Sequence, residues 1–476
     1  MPDSAPILLV EMPAGHREER EYALSVLLGE WLGLSYAAVV SPELGETRIR
    51  LASESDGVAV AIPDVLLAPS TEWLTPESLP RLPLPEVDLP DHTGGGSLPL
   101  LFAGSARPSA LFRRAGDRIE LGWDLLGSLV FMLTRYEEYV GIDQADIHDR
   151  FPSSAALMVR SGWYRHPVAD MYLHAFAAIL RQTWPGLDAK PSGYQGLLVG
   201  HDVDHPASPM LYHGAVRLRV LAGDVVKRRD PRLAARRASS FLPWTAPLAP
   251  HDPFNSFDFL MTESERTGVP STFFFITADT ATPYGSTFRV SDPWAARLLA
   301  DIGRRGHFAA LHGSYGSSCR AEQLAKEWRL LEDACKAIPP DRLRRSIRQH
   351  YLRWRPGDSW RAQSEAGLLE DETLAFADTV GYRAGTARSY PAFDLAASRR
   401  LPIRVRPLHV MDAALAAAGG GPSATEDAAE AAALEMRRRT GHYGGAFSIL
   451  WHNSRLETPR ARRHYSELLA ALSAGS

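Results

Sequence analysis

Cysteine is nearly missing from this chain: Cys319 and Cys335 are the only two in 476 residues. That scarcity excludes a disulfide framework and a thiolate zinc site, and it fits a reducing compartment. Long apolar runs are missing too. No stretch approaches the roughly 20 residues that a membrane-spanning helix needs. The N-terminus, MPDSAPILLVEMPAGHREER, lacks the basic start and apolar core of a secretion signal. A cytoplasmic protein without a transmembrane segment is the expectation. Excess charge is the third absence. A formal net charge of -4 gives no reason to expect affinity for nucleic acid or an anionic membrane. What is present is the composition of a folded soluble protein, 45% hydrophobic and 23% charged. The length predicts two or three domains.

The first part of the chain alternates β-like runs (Ile7 to Val10, Arg48 to Leu51, Val58 to Ile62, Leu98 to Phe102) with helical patterns at Glu19 to Leu32 and Trp123 to Tyr139. A Pro-rich stretch, Pro76 to Pro90 with Gly94 to Gly96 after it, reads as a surface loop. An amphipathic run from Val168 to Trp184 ends at Pro185 and Gly186, and DAKPSG (Asp188 to Gly193) reads as a linker. We place a boundary there: an α/β N-terminal domain over 1–188 and a second domain over 189–476. In the second, apolar runs recur at Gly196 to Gly200, Thr272 to Ile276, Phe308 to Leu311, Ile403 to Val405 and Phe447 to Leu450, with helical runs at Asp292 to Arg305 and Arg320 to Ile338. Strands alternating with helices predict a parallel sheet, open or closed into a barrel. Leu324, Trp328, Leu331 and Cys335 form one helical stripe, so Cys335 reads as a core thiol. The basic run Val216 to Arg237 reads as a solvated helix face, and Ala413 to Ala433, with GGGP inside it, as a loop followed by a helix.

Ionisable residues follow the apolar runs. GLLVGHDVDHP (Gly196 to Pro206) ends in two histidines and two aspartates within five positions. In an extended chain Asp202 and Asp204 share one face, while His201 and His205 point the other way. Two carboxylates that close repel unless a cation or hydrogen-bond donors intervene. Phe308 to Leu311 runs into His312, and Phe447 to Leu450 into Trp451, His452 and Asn453. Three strand ends carrying histidine on one rim of a parallel sheet would form a catalytic ring.

HDVDH, then STFFFI, RRGHFAALHGSYGS, RQHY and LWH stand in the order and at about the spacing of the polysaccharide deacetylase family, carbohydrate esterase family 4. This chain resembles that family over Gly196 to Ser454. The resemblance implies a distorted parallel (β/α) barrel that binds a divalent metal, commonly zinc, and hydrolyses N-acetyl groups of amino sugars in polymers, so a carbohydrate substrate is implied. It assigns Asp202 as general base, Asp204 and His312 as metal ligands, Arg348 as the residue holding Asp202, the Tyr351 amide as an oxyanion donor, and His452 as the acid that protonates the leaving amine. The family's second metal histidine falls at Gly316, where this chain has none, and we assign His350 in its place. For the acidic residue that orients His452 the candidate is Asp394, with Arg383 lining the same cleft. Trp354, Trp360 and Trp451 are candidates for stacking on sugar rings. GSLVFMLTRYEEYVG resembles part of an N-terminal domain that accompanies some bacterial members; the resemblance gives it no role. Two other readings stay open: hydrolysis of a small amide, imide or cyclic ureide on the same fold, and a non-catalytic carbohydrate-binding protein whose metal site has decayed, which the missing imidazole at Gly316 favours.

Overall fold

The computed structural model describes residues 7–54, 57–89, 96–104, 110–193, 196–242, 246–277, 284–285, 288–417 and 426–475. Gly94, Gly95 and the GGGP run at 419–422 lie outside them. The N-terminal residues build an α/β unit on a six-stranded sheet. Its strands are β1 (Leu8–Met12), β2 (Tyr36–Val40), β3 (Glu46–Leu51), β4 (Ala59–Pro63), β7 (Phe112–Ala115) and β8 (Arg118–Leu121), in the order β2-β1-β3-β4-β8-β7. The short strands β5 (Glu86–Asp88) and β6 (Ser97–Pro99) form a separate pair, so the Pro-rich stretch is partly strand. The two expected helices are both interrupted. The first runs Arg17–Leu24 and then widens into a π segment, Ser25–Trp31. The second divides into Leu125–Leu133 and Tyr136–Val140, because Arg135 takes a left-handed conformation, φ 59°, which L residues adopt at a cost.

The second sheet holds nine strands: β9 (Gly196–Val203), β10 (Ser271–Phe275), β11 (Phe308–Gly313), β12 (Leu343–Gln349), β13 (Glu370–Asp371), β14 (Tyr390–Asp394), β15 (Arg399–Val405), β16 (Val410–Met411) and β17 (Ala446–Leu450). Their order is β14-β15-β13-β12-β11-β10-β9-β17-β16. Every neighbouring pair is parallel except β14 with β15. Strands covered on both faces should be apolar throughout, and β10, STFFF, is buried along its whole length. Each of its three phenylalanines contributes about 1.5–3 kcal/mol by burial. No pairing joins β14 to β16 among the described residues, so their ladders run as a row, and the closure of the expected distorted barrel is not seen in them. One end of the row is an antiparallel hairpin strand and the other a strand of two residues.

The parallel strands point their carboxyl ends to one rim, where the residues following β9, β11, β12, β16 and β17 gather. The two sheets share one continuous hydrophobic core, from Leu8 to Leu472. Polar contacts also tie them: the Tyr22 hydroxyl donates to the Pro391 carbonyl at 2.9 Å, and Thr386 donates to Asp170 at 2.6 Å. In the basic run, Arg237 is not a solvated residue. It is fully buried and pairs with Asp224 at 2.7 Å and with Glu457. Cys335 is buried, as expected, and Cys319 is exposed.

Candidate active site

A cleft of about 550 Å³ opens at the carboxyl rim, and Asp202, Asp204, His312, His350, Tyr351 and His452 all line it. The alternation of β9 carries Asp202 to the inner face, where Arg348 of β12 meets it: Nη1 donates to Asp202 Oδ1 at 2.8 Å. The same guanidinium donates through Nε to the Glu372 carbonyl at 3.1 Å and lies over the Phe274 ring at 4.0 Å. It is fully buried, and such a charge is tolerated only when paired. Its planar fork needs room beside β9, and Gly200 supplies it: a Cβ there would stand 2.6 Å from Arg348 Nη1.

Asp204, His312 and His350 each offer one ligand atom, all within 4.8 Å of one another. His312 Nδ1 lies 2.7 Å from the Arg348 carbonyl and must donate to it. The ring's Nε2 is thereby turned toward the carboxylates, 3.1 Å from Asp204 Oδ1 and 3.7 Å from Asp202 Oδ2. This is the second-sphere arrangement that orients a metal-binding imidazole. His350 Nε2 lies 3.5 Å from Asp204 Oδ2. Asp204 Oδ1, His312 Nε2 and His350 Nδ1 are buried and lack a well-aligned hydrogen bond among the described residues. Burial works against the Asp204 carboxylate, but His350 and His312 hold it well below the usual carboxylate range. Burial likewise opposes the charged form of His312, and Asp202 and Asp204 outweigh it, raising its pKa. A half-buried acid beside two buried imidazoles, with ligand atoms within 4.8 Å of one another, suits a divalent cation. At Gly316 a Cβ would meet nothing within 4 Å.

His452 follows β17, and its partner is Asp412, which follows β16. Nδ1 lies 2.9 and 3.0 Å from the two Asp412 oxygens, and the His452 backbone N–H donates to Asp412 Oδ2 at 2.8 Å. Nε2 faces the cleft, 3.6 Å from Asp204 Oδ2. Burial opposes the imidazolium, but Asp412 more than offsets it and pushes the pKa up to about 10. The expected partner, Asp394, is elsewhere: it pairs with Arg361 at 2.9 Å. Arg383 does not line the cleft either, since it is buried against Glu138 at 2.6 Å. Asp412 ends an apolar pair just as His452 ends β17, and that pattern was the available signal for it.

Of the histidines expected to point away, His201 does so, buried 3.1 Å from the Trp451 carbonyl and 3.2 Å from Ser271 Oγ. Burial lowers its pKa to about 3. His205 instead borders the cleft. Trp354 and Trp360 are not available to sugars. Each is 1% exposed, and they pack edge to face at 4.7 Å. Trp451 is buried too. The exposed aromatic at the rim is Tyr351, at 37%. It and Leu352 both have positive φ, 62° and 53°, a strained conformation of the kind found at functional sites.

Residues 8–185 match the model of a family of unknown function, DUF7033. No curated protein matches the chain. Among solved structures, the chain is similar to a crystal structure described as a "putative polysaccharide deacetylase from Mycobacterium smegmatis", at 16% identity and a TM-score of 0.35, over 60% of this chain and 88% of that one. No helix among the described residues is long and apolar enough to cross a membrane.

Proposed function

We propose that this protein is a metal-dependent hydrolase that removes N-acetyl groups from amino sugars of an oligo- or polysaccharide. Residues 189–476 carry the chemistry and 1–188 form an accessory unit. One observation carries the reading: Asp204, His312 and His350, whose ligand atoms lie within 4.8 Å of one another, stand between an Arg348-held aspartate and an Asp412-held histidine on one rim. Asp204, His312 and His350 would hold a divalent cation, and zinc is the ion this ligand set suits best. When bound, the cation supplies Lewis-acid polarisation of a carbonyl and of water.

The chain's own groups divide the proton transfers. Arg348 occupies Asp202 Oδ1, leaving Oδ2 on the cleft side to take a proton from the attacking water. Asp412 takes the Nδ1–H of His452, so the Nε2 proton faces the cleft and passes to the departing amine. With a pKa near 10, His452 is charged at neutral pH and ready as an acid. The Tyr351 backbone amide is the proposed donor to the tetrahedral oxyanion. Water is added across the C–N bond, and acetate and a free amino sugar leave.

The test is metal analysis of the purified chain, followed by acetate release from N-acetylated oligosaccharides with and without chelator. We expect a bound divalent ion and chelator-sensitive release. The absence of both, with Zn²⁺ or Co²⁺ added back, overturns the reading. Release from a small amide or cyclic imide but not from a saccharide keeps the machinery and changes the substrate.

A further inference from the structure

The N-terminal residues reach the candidate site. A turn at 146–150 closes on itself: Asp146 Oδ1 accepts the backbone N–H groups of His148 at 2.8 Å and Arg150 at 3.0 Å. Asp146 Oδ2 accepts Arg150 Nε at 2.9 Å. The turn is then fastened to the sheet. His148 Nδ1 lies 2.9 Å from the Tyr315 hydroxyl, and its ring packs on Tyr351 with centroids 4.7 Å apart. Asp149 pairs with Arg353, whose guanidinium also lies 4.1 Å from the Tyr315 ring centroid. So anchored, Arg150 lines the cleft beside Tyr351, and the exposed Arg455 lines it from the segment after His452.

The cleft is therefore lined by charges of both signs, the carboxylates Asp202 and Asp204 and the guanidiniums Arg150 and Arg455. Asp146 engages two of the Arg150 nitrogens and fixes the side chain. A guanidinium has five donors, so donors remain for a ligand. Tyr284, Tyr315 and Tyr351 add aromatic faces between 4.5 and 5.5 Å apart at the same place. A fixed guanidinium beside accessible aromatic rings recognises a planar or tetrahedral anion carried on a sugar.

We propose that the cleft selects saccharides bearing an anionic group, carboxylate or phosphate, close to the N-acetyl group, and that the N-terminal region supplies part of that selection through Arg150. This rests on the deacetylase reading for the identity of the reacting group, but not for the anion preference. A charge-assisted contact of this kind is worth about tenfold in affinity.

The test measures binding and acetate release separately on the full chain. Three N-acetylated oligosaccharides of equal length serve as probes: one neutral, one carrying a uronic acid, one carrying a phosphate. We expect one or both anionic probes to bind at least about tenfold tighter than the neutral one, and the doubly substituted R150Q/R455Q chain to bring that ratio close to one. Both arginines are surface residues, and an unchanged unfolding midpoint shows that the variant is folded. Equal binding of all three probes, a preference that survives in the variant, or no binding of any probe overturns the proposal. Anion-selective binding without acetate release leaves it standing and removes the deacetylase reading; release from all three probes with no preference does the reverse.

Discussion

Two buried arginine–carboxylate networks can be set side by side. Where the N-terminal residues meet the large sheet, Arg135 and Arg383 share Glu138: Arg135 Nε and Arg383 Nε both donate to Oε1 at 2.9 Å, and Arg383 Nη2 to Oε2 at 2.6 Å. Glu137 takes Arg135 Nη2 at 2.8 Å and the Leu157 N–H at 2.7 Å. Every oxygen is occupied. At the rim, Arg348 is likewise shared by Asp202 and Glu372, but beside it Asp204 Oδ1 and His312 Nε2 face each other at 3.1 Å without a well-aligned bond, and His350 brings a third ligand atom within 4.8 Å. Both networks carry the desolvation cost of buried charge. One is closed and holds two parts of the molecule together; the other is left open on the side of the cleft, which is what a site for a ligand requires.

The largest expected effects separate the two. Glu138→Gln leaves two buried guanidiniums short of charge, and removing one partner of a buried pair costs about 3–5 kcal/mol; urea unfolding should show it as a lower midpoint. Asp202→Asn leaves Arg348 its contacts to Glu372 and should spare most of the stability. It should lower kcat for acetate release by about 10²–10⁴, the usual contribution of a general base. If Asp202→Asn lowers the midpoint as far as Glu138→Gln while sparing kcat, both networks are structural.

The same contrast explains what could be read from the sequence. Four groups of the rim were legible because they follow apolar runs: Asp202 and Asp204 after GLLVG, His312 after FAAL, His452 after FSIL. Alternation along β9 was enough to put the two aspartates on one face. The strand β12 was harder, because LRRSIRQ has the composition of a surface segment. Its last four residues are buried, and there Ser346 and Arg348, on one face, find Glu372 and Asp202. Arg383 and Asp394 were misassigned for a related reason. Their partners, Glu138 and Arg361, lie 245 and 33 positions away, and nothing in their local pattern tells a closing residue from a catalytic one. The tryptophans followed the commoner rule that large aromatic surface is buried.

A smaller effect tests the Asp412–His452 pair. Asp412 is the main group raising the His452 pKa, to about 10, so the alkaline limb of the kcat profile should fall where this imidazolium loses its proton. Asp412→Asn keeps a hydrogen-bond acceptor and removes the charge, which should move that limb about one to three pH units toward neutral. A profile that does not move would show that another group sets it.

The smallest effect concerns His201, neighbour of Asp202 in sequence but opposite in environment. Burial holds its pKa at about 3, against about 6.5 in an unfolded chain. Its lowered pKa favours the folded state fully above pH 6.5, and the advantage is lost as pH falls from 6.5 toward 3, because the unfolded chain binds the proton and the folded one does not. At 1.36 kcal/mol per pH unit, this one residue removes about 2 kcal/mol between pH 6.5 and pH 5. His201→Gln keeps polar atoms for Ser271 and the Trp451 carbonyl and has no proton to gain. Its unfolding free energy should start lower at pH 7.5 but decline less steeply toward pH 5. An unchanged slope would mean that His201 is not held neutral, and that the two faces of HDVDH are less sharply divided than their surroundings imply.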